Sequence, residues 1–225
     1  MIDFARKLNE TLRKESLCLA YEFDKDNCEG AAILSHSIAR SRQLAKIAEN
    51  DKVCVWNNDA VKLFHLMDES GGTKRSVFEP LSTRKASAFR GFCNYHDTLL
   101  FDRIDNPIAQ FDKETVLQLH YRSVSYEYFH KKKAIDCIND FLNEPMSRKN
   151  PLYNWACDYL EIMHLSLSDI QKQKQICEKS YPTKNVNGDV KAVIFEFDVS
   201  VPVMCVGGWI PTYTINRKKD CLKTN

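Results

Sequence analysis

The sequence predicts an α+β protein built from two domains. Three observations indicate this fold class: short, mixed strand and helix signals in the N-terminal part, two long amphipathic helices in the middle, and strand-like alternation near the end. Asn106-Pro107 marks the boundary, so the predicted domains are residues 1–106 and 107–225. With 44% hydrophobic and 28% charged residues among 225, the composition is that of an ordered globular protein.

The N-terminal domain is predicted to begin with an amphipathic helix over residues 2–17, because apolar side chains recur there at helical spacing. Shorter signals follow, among them a β-branched run at residues 53–56. We expect a small hairpin in this region, with a helix over about residues 40–49 set between its strands. Gly71-Gly72-Thr73 predicts a turn.

The C-terminal domain is predicted to contain two long helices. Asp112 can cap a first helix that ends near Asn143, and Asn150 can cap a second helix whose first position is Pro151. The apolar faces of these helices are expected to form an antiparallel pair. The contact is expected at Leu117, Val124, Ile138, Trp155 and Tyr159.

The last part of the chain is predicted to form a β segment, with strands at residues 193–197 and 203–206. Two strands alone are marginally stable in water, so this segment needs more sheet, a helix to pack on, or residues beyond Asn225. The abrupt basic ending adds to the expectation that a longer parent chain has been truncated.

Composition excludes several classes of protein. The N terminus lacks the continuous apolar stretch of a secretory signal, and no apolar stretch reaches the roughly 20 residues that a membrane-spanning helix requires. We therefore expect a soluble, cytoplasmic protein with no membrane partner. The net charge of +2 does not by itself indicate a nucleic-acid binder. Gly-rich phosphate loops, Gly-x-Ser-x-Gly turns and His-Glu-x-x-His helices are all missing from the sequence, which argues against those enzyme classes.

The cysteines point to a metal site. Nine cysteines, an odd number, in a chain without an export signal favour reduced thiols or metal ligation over disulfides. Cys93 and His96 form a Cys-x2-His knuckle at a predicted helix start, where two side chains three residues apart can bind one zinc ion. Structural zinc takes four N or S ligands, usually as two such pairs.

Cys18 and Cys28 are the candidates for the second pair, because the Asp- and Asn-rich segment between them can form a loop that returns one thiolate to the other. The alternative is that both are small buried hydrophobic residues. With zinc bound, the predicted N-terminal fold is a small zinc-organised domain of ββα or treble-clef-like type.

A second motif lies upstream of the knuckle, in residues 33–41, which read ILSHSIARS. Together with Cys93-Asn94-Tyr95-His96, it resembles the HNH (His-Me finger) endonucleases. In that family a strand ends in a His-Ile-x-x segment, and a Cys-x2-Cys-His segment begins the following helix. The resemblance covers roughly residues 18–105, which is less than half of the chain.

The resemblance implies that His36 is the general base that activates water for attack on a phosphodiester, with Mg²⁺ or Mn²⁺ stabilising the leaving oxygen. Asp97 stands where the family usually has its last His, and Asn57 or Asn50 stands for the central Asn. Ser35 departs from the metal-binding Asp of many members, whereas Asp97 is an acceptable ligand for magnesium or manganese. The alternatives for His36 are a further zinc ligand or a hydrogen-bonded core histidine.

Basic residues gather around this segment, as expected for a surface that binds a phosphate backbone. They are Arg40, Arg42, Lys74, Arg75, Arg84, Lys85 and Arg90. The alternative is a solvated basic face that binds no ligand.

Two hypotheses for function follow. The first is a metal-dependent HNH-like endonuclease that acts on DNA or RNA and contains one structural zinc ion. The second is a non-catalytic zinc-stabilised module that binds nucleic acid or protein. A protein partner or a homo-oligomer formed through the C-terminal region is compatible with both. The two hypotheses are separated by whether His36 and Asp97 share one site while the zinc lies elsewhere.

Overall fold

The computed structural model describes residues 2–56, 78–106, 111–145, 147–181 and 198–199. It shows a mixed α+β arrangement of small antiparallel sheets and several helices, which confirms the predicted fold class at this level. The predicted turn at residues 71–73 and the predicted strands at 193–197 and 203–206 lie outside the described residues. Within the described part of the chain, the helices are all too short or too polar to cross a membrane.

Five α-helices and four strands make up the described chain. In chain order they are α1 (Ile2–Arg13), β1 (Leu34–His36), a π-helical turn (Arg40–Leu44) that runs into α2 (Ala45–Ile47), β2 (Lys52–Trp56), β3 (Phe78–Ser82), β4 (Ala88–Arg90), α3 (Asn94–Asp105), α4 (Lys113–Leu142), a 3-10 turn (Ser147–Lys149) and α5 (Tyr153–Ser180).

The strands pair in a nested order. β1 pairs antiparallel with β4, and β2 pairs antiparallel with β3, so the second pair is inserted within the first. The prediction of a helix near residues 40–49 is confirmed, but the prediction that it connects the two strands of one hairpin is wrong. Leu44 on the helical turn buries against Val53 and Ala86. This small core holds β2 and β3 against the turn and leaves β1 to pair with β4.

The boundaries of α4 match the predicted capping residues, whereas the start of α5 does not. The Asp112 carboxylate accepts a hydrogen bond from the Thr115 N–H at 2.9 Å, and α4 ends one residue before Asn143, as predicted. The Asn150 side chain accepts from the Leu152 N–H at 2.9 Å and so caps a turn that contains Pro151. The prediction that Asn150 caps the helix and that Pro151 is its first residue is wrong, because α5 begins at Tyr153 with Leu152 at the N-cap position.

The predicted pairing of the two long helices is confirmed, because α4 and α5 pack along each other. Val124 and Ile138 are buried, and Tyr159 packs on the cluster that contains Ile138. The prediction for Trp155 is wrong: its side chain is 44% exposed, and the neighbouring Ala156 is buried instead. One residue turns a helix by about 100°, so the face that looks most apolar in the sequence lies beside the seam.

The largest core joins the N-terminal segment to the long helices. Phe92 contacts the rings of both Phe101 and Tyr121, with centroid distances of 5.0 and 5.8 Å. Cys18 and Cys177 are buried in the same cluster. This core contains residues from both sides of position 106. The division of the chain into two domains at that position stays a prediction.

Lys174 on α5 ties the end of the helical pair to the N-terminal loop. The side chain is 8% exposed, and its ammonium group donates a hydrogen bond to the Leu19 carbonyl at 2.8 Å. The same group pairs with Glu178, which also accepts a hydrogen bond from the Tyr121 hydroxyl. Because a buried ammonium requires partners for its charge and its N–H groups, this contact fixes α5 against the segment that follows Cys18.

Candidate metal centre and adjoining cleft

The structure brings the four predicted zinc ligands together. One ligand atom from each of Cys18, Cys28, Cys93 and His96 lies within 4.8 Å of all the others. Cys28 is half-buried, and the other three are buried. A set of three thiols and one imidazole can hold a metal ion such as zinc. The roles of the four as ligands stay a prediction that their geometry supports.

The first turn of α3 places Cys93 and His96 side by side. Cys93 is the N-cap residue, and its sulfur accepts from the His96 N–H at 3.5 Å. In the same turn, His96 Nδ1 lies 3.2 Å from Cys93 Sγ and 3.5 Å from Cys18 Sγ. His96 therefore offers Nδ1 to the cluster, and its other ring nitrogen points away from the thiols.

The loop between Cys18 and Cys28 returns the second thiol to the first. The Cys18 N–H donates to the Gly30 carbonyl at 2.8 Å, and the Gly30 N–H donates to Cys28 Sγ at 3.4 Å. Gly30 has a φ of +83°, a conformation that side chains with a Cβ rarely adopt. The Leu19 N–H donates to the Gly91 carbonyl at 2.8 Å, which joins this loop to the segment before the knuckle. These bonds explain how two cysteines with nine residues between them can act as a pair.

Asp24 supports the cluster from outside. The Asp24 carboxylate lies 3.2 Å from His96 Nε2 and accepts from the Asn27 side-chain amide at 2.8 Å. The bond from Asn27, followed by the contact with His96, lowers the pKa of Asp24. A carboxylate bonded to the second nitrogen of a ligating histidine fixes the ring and its tautomer. The sequence analysis did not assign this role to Asp24, although its position in the Asp- and Asn-rich loop was a usable signal.

Burial, together with the neighbouring Cys93 and Cys28 thiols, raises the pKa of the Cys18 thiol to about 12. In the absence of a cation Cys18 therefore holds its proton at neutral pH. Because a metal ion binds the thiolate, binding at this cluster must release that proton.

A separate cleft of about 460 Å³ lies next to the cluster, and His36 lines it. His36 ends β1, and its Nδ1 lies 3.0 Å from the Ala86 carbonyl oxygen. A carbonyl can only accept, so Nδ1 carries the proton and Nε2 keeps its lone pair. Burial lowers the pKa of His36, which favours the neutral ring at neutral pH. The ring is thus held in the form that a general base requires.

Asp97 lines the same cleft, although it is the next residue after His96. Burial raises the pKa of Asp97, while the Ser35 side chain and the Arg122 charge lower it. Its Oδ1 is buried and has no hydrogen-bond partner among the described residues. Two consecutive residues in one helical turn therefore serve two sites, His96 in the cysteine cluster and Asp97 in the cleft.

The remaining walls of the cleft contain charges of both signs. Arg40 donates from Nε to the Thr83 hydroxyl at 3.3 Å, and Thr83 in turn bonds Asp51. Arg122 reaches the cleft from α4 and forms a fork with Asp105, with both N–O distances at 2.7 Å. The sequence analysis identified only Arg40 in this group. Arg122 carried no local signal, because it lies outside the region that resembles the HNH family.

The other predicted site residues are scattered. Arg84 and Lys85 are exposed in the turn between β3 and β4, and Arg90 is half-buried on β4. Asn50 has a φ of +51° in the turn before β2. Asn57, Lys74 and Arg75 lie outside the described residues, and so does the side chain of Arg42.

Among the described residues, the Cys18–His96 cluster is the one group of three or more metal-binding side chains whose ligand atoms lie close together. His36 and Asp97 are thus not part of a second ready-made ligand set within that part of the chain. The chain matches no protein-family model, and a search of curated proteins and of solved structures finds no significant match to it.

Proposed function

We propose that the protein is a zinc-stabilised, metal-dependent endonuclease of HNH-like type that hydrolyses phosphodiester bonds. The observation that carries this proposal is the separation of two sites around one helical turn. Asp97 and His36 line one cleft, while His96 lies in a complete ligand set on the other side. In the proposed arrangement β1, β4 and α3 form the ββα unit, and zinc holds that unit together.

Zinc is the metal that best suits the cluster. Three thiolates and one imidazole complete a tetrahedral shell and leave no open coordination position, which is typical of a structural site and not of a catalytic one. The Asp24 carboxylate behind His96 and the N–H groups directed at Cys28 and Cys93 are the outer contacts that such a site requires. Cys18, Cys28, Cys93 and His96 would hold the ion and so contribute its binding energy to folding.

In the cleft, His36 would accept the proton of an attacking water molecule at Nε2. The Ala86 carbonyl fixes the ring for this task, so it supplies the orientation that the resemblance assigns to Asn57 or Asn50. Asp97 is our candidate ligand for Mg²⁺ or Mn²⁺, which would stabilise negative charge on the leaving oxygen. Its unpartnered, buried Oδ1 is a suitable donor atom.

The first test is metal analysis of the purified chain, followed by incubation of plasmid DNA with Mg²⁺ or Mn²⁺. We expect one zinc per chain, no loss of zinc during the assay, and nicked or linear plasmid only when the second metal is added. A folded protein without zinc would reject the structural site. A zinc-loaded protein that cleaves neither DNA nor RNA with any divalent metal would reject the nuclease.

The second candidate is a non-catalytic zinc-stabilised module that binds nucleic acid. One observation favours it: the described part of the cleft contains no second group of three close ligand atoms. Salt-dependent DNA binding without cleavage, in a protein that keeps its zinc, would support this module over the enzyme.

A further inference from the structure

Arg122 is the most constrained charged side chain in the cleft. It is 2% exposed, although it lines the cleft together with His36 and Asp97. Its guanidinium lies over the Phe101 ring at 4.2 Å from the centroid, and the Asp105 fork holds the plane from one end. A side chain fixed on one face and at one end cannot reorient without breaking these contacts.

The fork with Asp105 leaves the other edge of the guanidinium unused. Both terminal nitrogens donate to Asp105, and Nε is buried without a hydrogen-bond partner among the described residues. An arginine has five N–H donors in a planar array, and an end-on fork occupies two of them. The edge formed by Nε and the adjacent terminal nitrogen therefore keeps two parallel donors, the arrangement that accepts two oxygens of a phosphate.

The residues around this edge suit a phosphate group that binds together with a divalent cation. Buried donors without partners are rare in proteins, so the free Nε–H needs an acceptor. Arg122 lines the same cleft as Asp97 and His36, which places its side chain beside the two groups proposed for hydrolysis. Arginine at one side of a phosphate and a carboxylate-held cation at the other is a common arrangement for phosphoryl transfer.

We propose that Arg122 is the phosphate-binding residue of the cleft, and that its Nε edge contacts the non-bridging oxygens of a nucleic-acid phosphodiester beside His36. This inference rests on the proposed function, because it assigns the substrate phosphate to the same cleft. It also gives α4 a part in the site: the helix that follows the HNH-like region supplies the contact. Asp105 then acts as a positioning residue that holds the plane of the guanidinium.

The test compares the full-length wild type with Arg122→Lys in binding to a short fluorescein-labelled DNA duplex over a series of salt concentrations, without added magnesium or manganese. Lysine keeps the charge and loses the two-donor edge. We expect affinity to fall by about tenfold, as is typical when a bidentate phosphate contact is lost. The log–log salt slope should stay close to that of the wild type, because the lysine charge can still neutralise one phosphate.

Arg103→Lys is the matched control. Arg103 also pairs with two carboxylates, those of Asp112 and Glu114, but it does not line the cleft. Its replacement should leave both the affinity and the salt slope unchanged. If Arg122→Lys and Arg103→Lys behave alike, the phosphate site is wrong.

A second measurement needs no variant that alters the fold. The Nε–H of Arg122 should give a slowly exchanging ¹⁵N–¹H signal, identified by its contacts with the Phe101 ring. This signal should shift when the DNA duplex is added to the wild type. If DNA binds and the signal stays in place, Arg122 does not contact phosphate, whatever Arg122→Lys does.

The results also separate this inference from the proposed function. Loss of affinity in Arg122→Lys, in a protein that never cleaves, would support the phosphate site and reject the nuclease. Normal binding by Arg122→Lys in a protein that cleaves would support the nuclease and reject the phosphate site. A wild type that binds no DNA and cleaves neither DNA nor RNA would reject both.

Discussion

The cysteine cluster and the His36 cleft are neighbours, but they are built in different ways. All four atoms of the cluster come from loops and a helix start in the first half of the chain, and three of the four residues are buried. The cleft is lined from β1, the π-helical turn, the β3–β4 turn, α3 and α4. A metal site can be identified from a few residue types whose ligand atoms lie close together. A cleft is identified only by where the fold places its side chains, because the same residue types also occur elsewhere on the surface.

In the proposed function, one turn of helix separates a structural metal site from a catalytic cleft. His96 and Asp97 are adjacent, yet His96 has no exposed surface and Asp97 borders a cleft. Substitutions in the cysteine cluster should therefore change metal content and folding, and substitutions in the cleft should change nucleic-acid binding and the rate of cleavage. The predictions below test this division, from the largest expected effect to the smallest.

Replacing Cys93 by Ser should have the largest effect. Cys93 is fully buried, belongs to the cluster and caps α3. Structural zinc contributes about 10 kcal/mol or more of binding free energy in small zinc domains, so loss of one ligand should release the metal and lower the melting temperature sharply. Metal analysis and thermal melting measure both effects. Cys54→Ser, at an exposed cysteine on β2, should change neither. A Cys93→Ser protein with normal zinc and melting temperature would contradict the structural site.

Replacing His36 by Ala should abolish function without touching the fold. We expect metal-dependent plasmid cleavage to fall by about 100-fold or more, the usual effect of removing a general base. Zinc content and melting temperature should remain those of the wild type. His164→Ala, at an exposed histidine on α5, is the control. If His36→Ala loses zinc and melts early, the histidine belongs to the metal site and the division between the two sites fails.

Replacing Asp24 by Asn should weaken the metal site without emptying it. Removing such an outer carboxylate typically lowers metal affinity by about 10- to 100-fold, because the ligating ring loses its orientation and basicity. Competition with a coloured zinc chelator measures this change. Asp26→Asn alters an exposed carboxylate of the same loop and should have no effect. Cleavage at saturating zinc should be normal in both variants, since the cleft does not depend on Asp24.

The smallest effect is expected for the paired change Arg84→Gln and Lys85→Gln. Both side chains are exposed in the turn near the cleft, so each can contact at most one phosphate. The log–log salt slope of DNA binding should fall by no more than about 0.9 per residue, with zinc content unchanged. Arg148→Gln with Lys149→Gln removes an equally exposed basic pair from the 3-10 turn and should leave the slope as it was. A change in zinc content in either double variant would show that the exposed basic residues affect the cysteine cluster.

The cysteine cluster and the cleft also differ in how much of each could be predicted from the sequence. Cys93 and His96 were identified because a Cys-x2-His step at a helix start has few other uses, and Cys18 and Cys28 because the Asp- and Asn-rich segment between them can form a loop. Asp112 and Asn143 mark the ends of α4 because capping is a local property of the chain. Each of these signals lies within a few residues of the feature that it predicts.

The remainder depends on contacts between distant parts of the chain. β1 and β4 each have only three residues, and they pair with each other across the inserted β2–β3 pair, on which Leu44 is buried. The prediction for Trp155 was wrong because helical periodicity identifies the apolar face of a helix, but not the one residue on that face that contacts the neighbouring helix. Arg122 lies on α4, remote in sequence from His36, and a buried arginine inside a long helix resembles an ordinary solvated one until the fold is known.

The bond between Lys174 and Leu19 has a consequence for the order of synthesis. The two residues are 155 positions apart in the sequence, so this bond cannot form until α5 has left the ribosome. Translation proceeds at about 5–20 residues per second, which makes the delay on the order of ten seconds. During that interval the four cluster residues can already meet, but the loop that contains Cys18 lacks its tie to α5. The newly synthesised chain should therefore hold this loop less firmly before its second long helix has emerged than after.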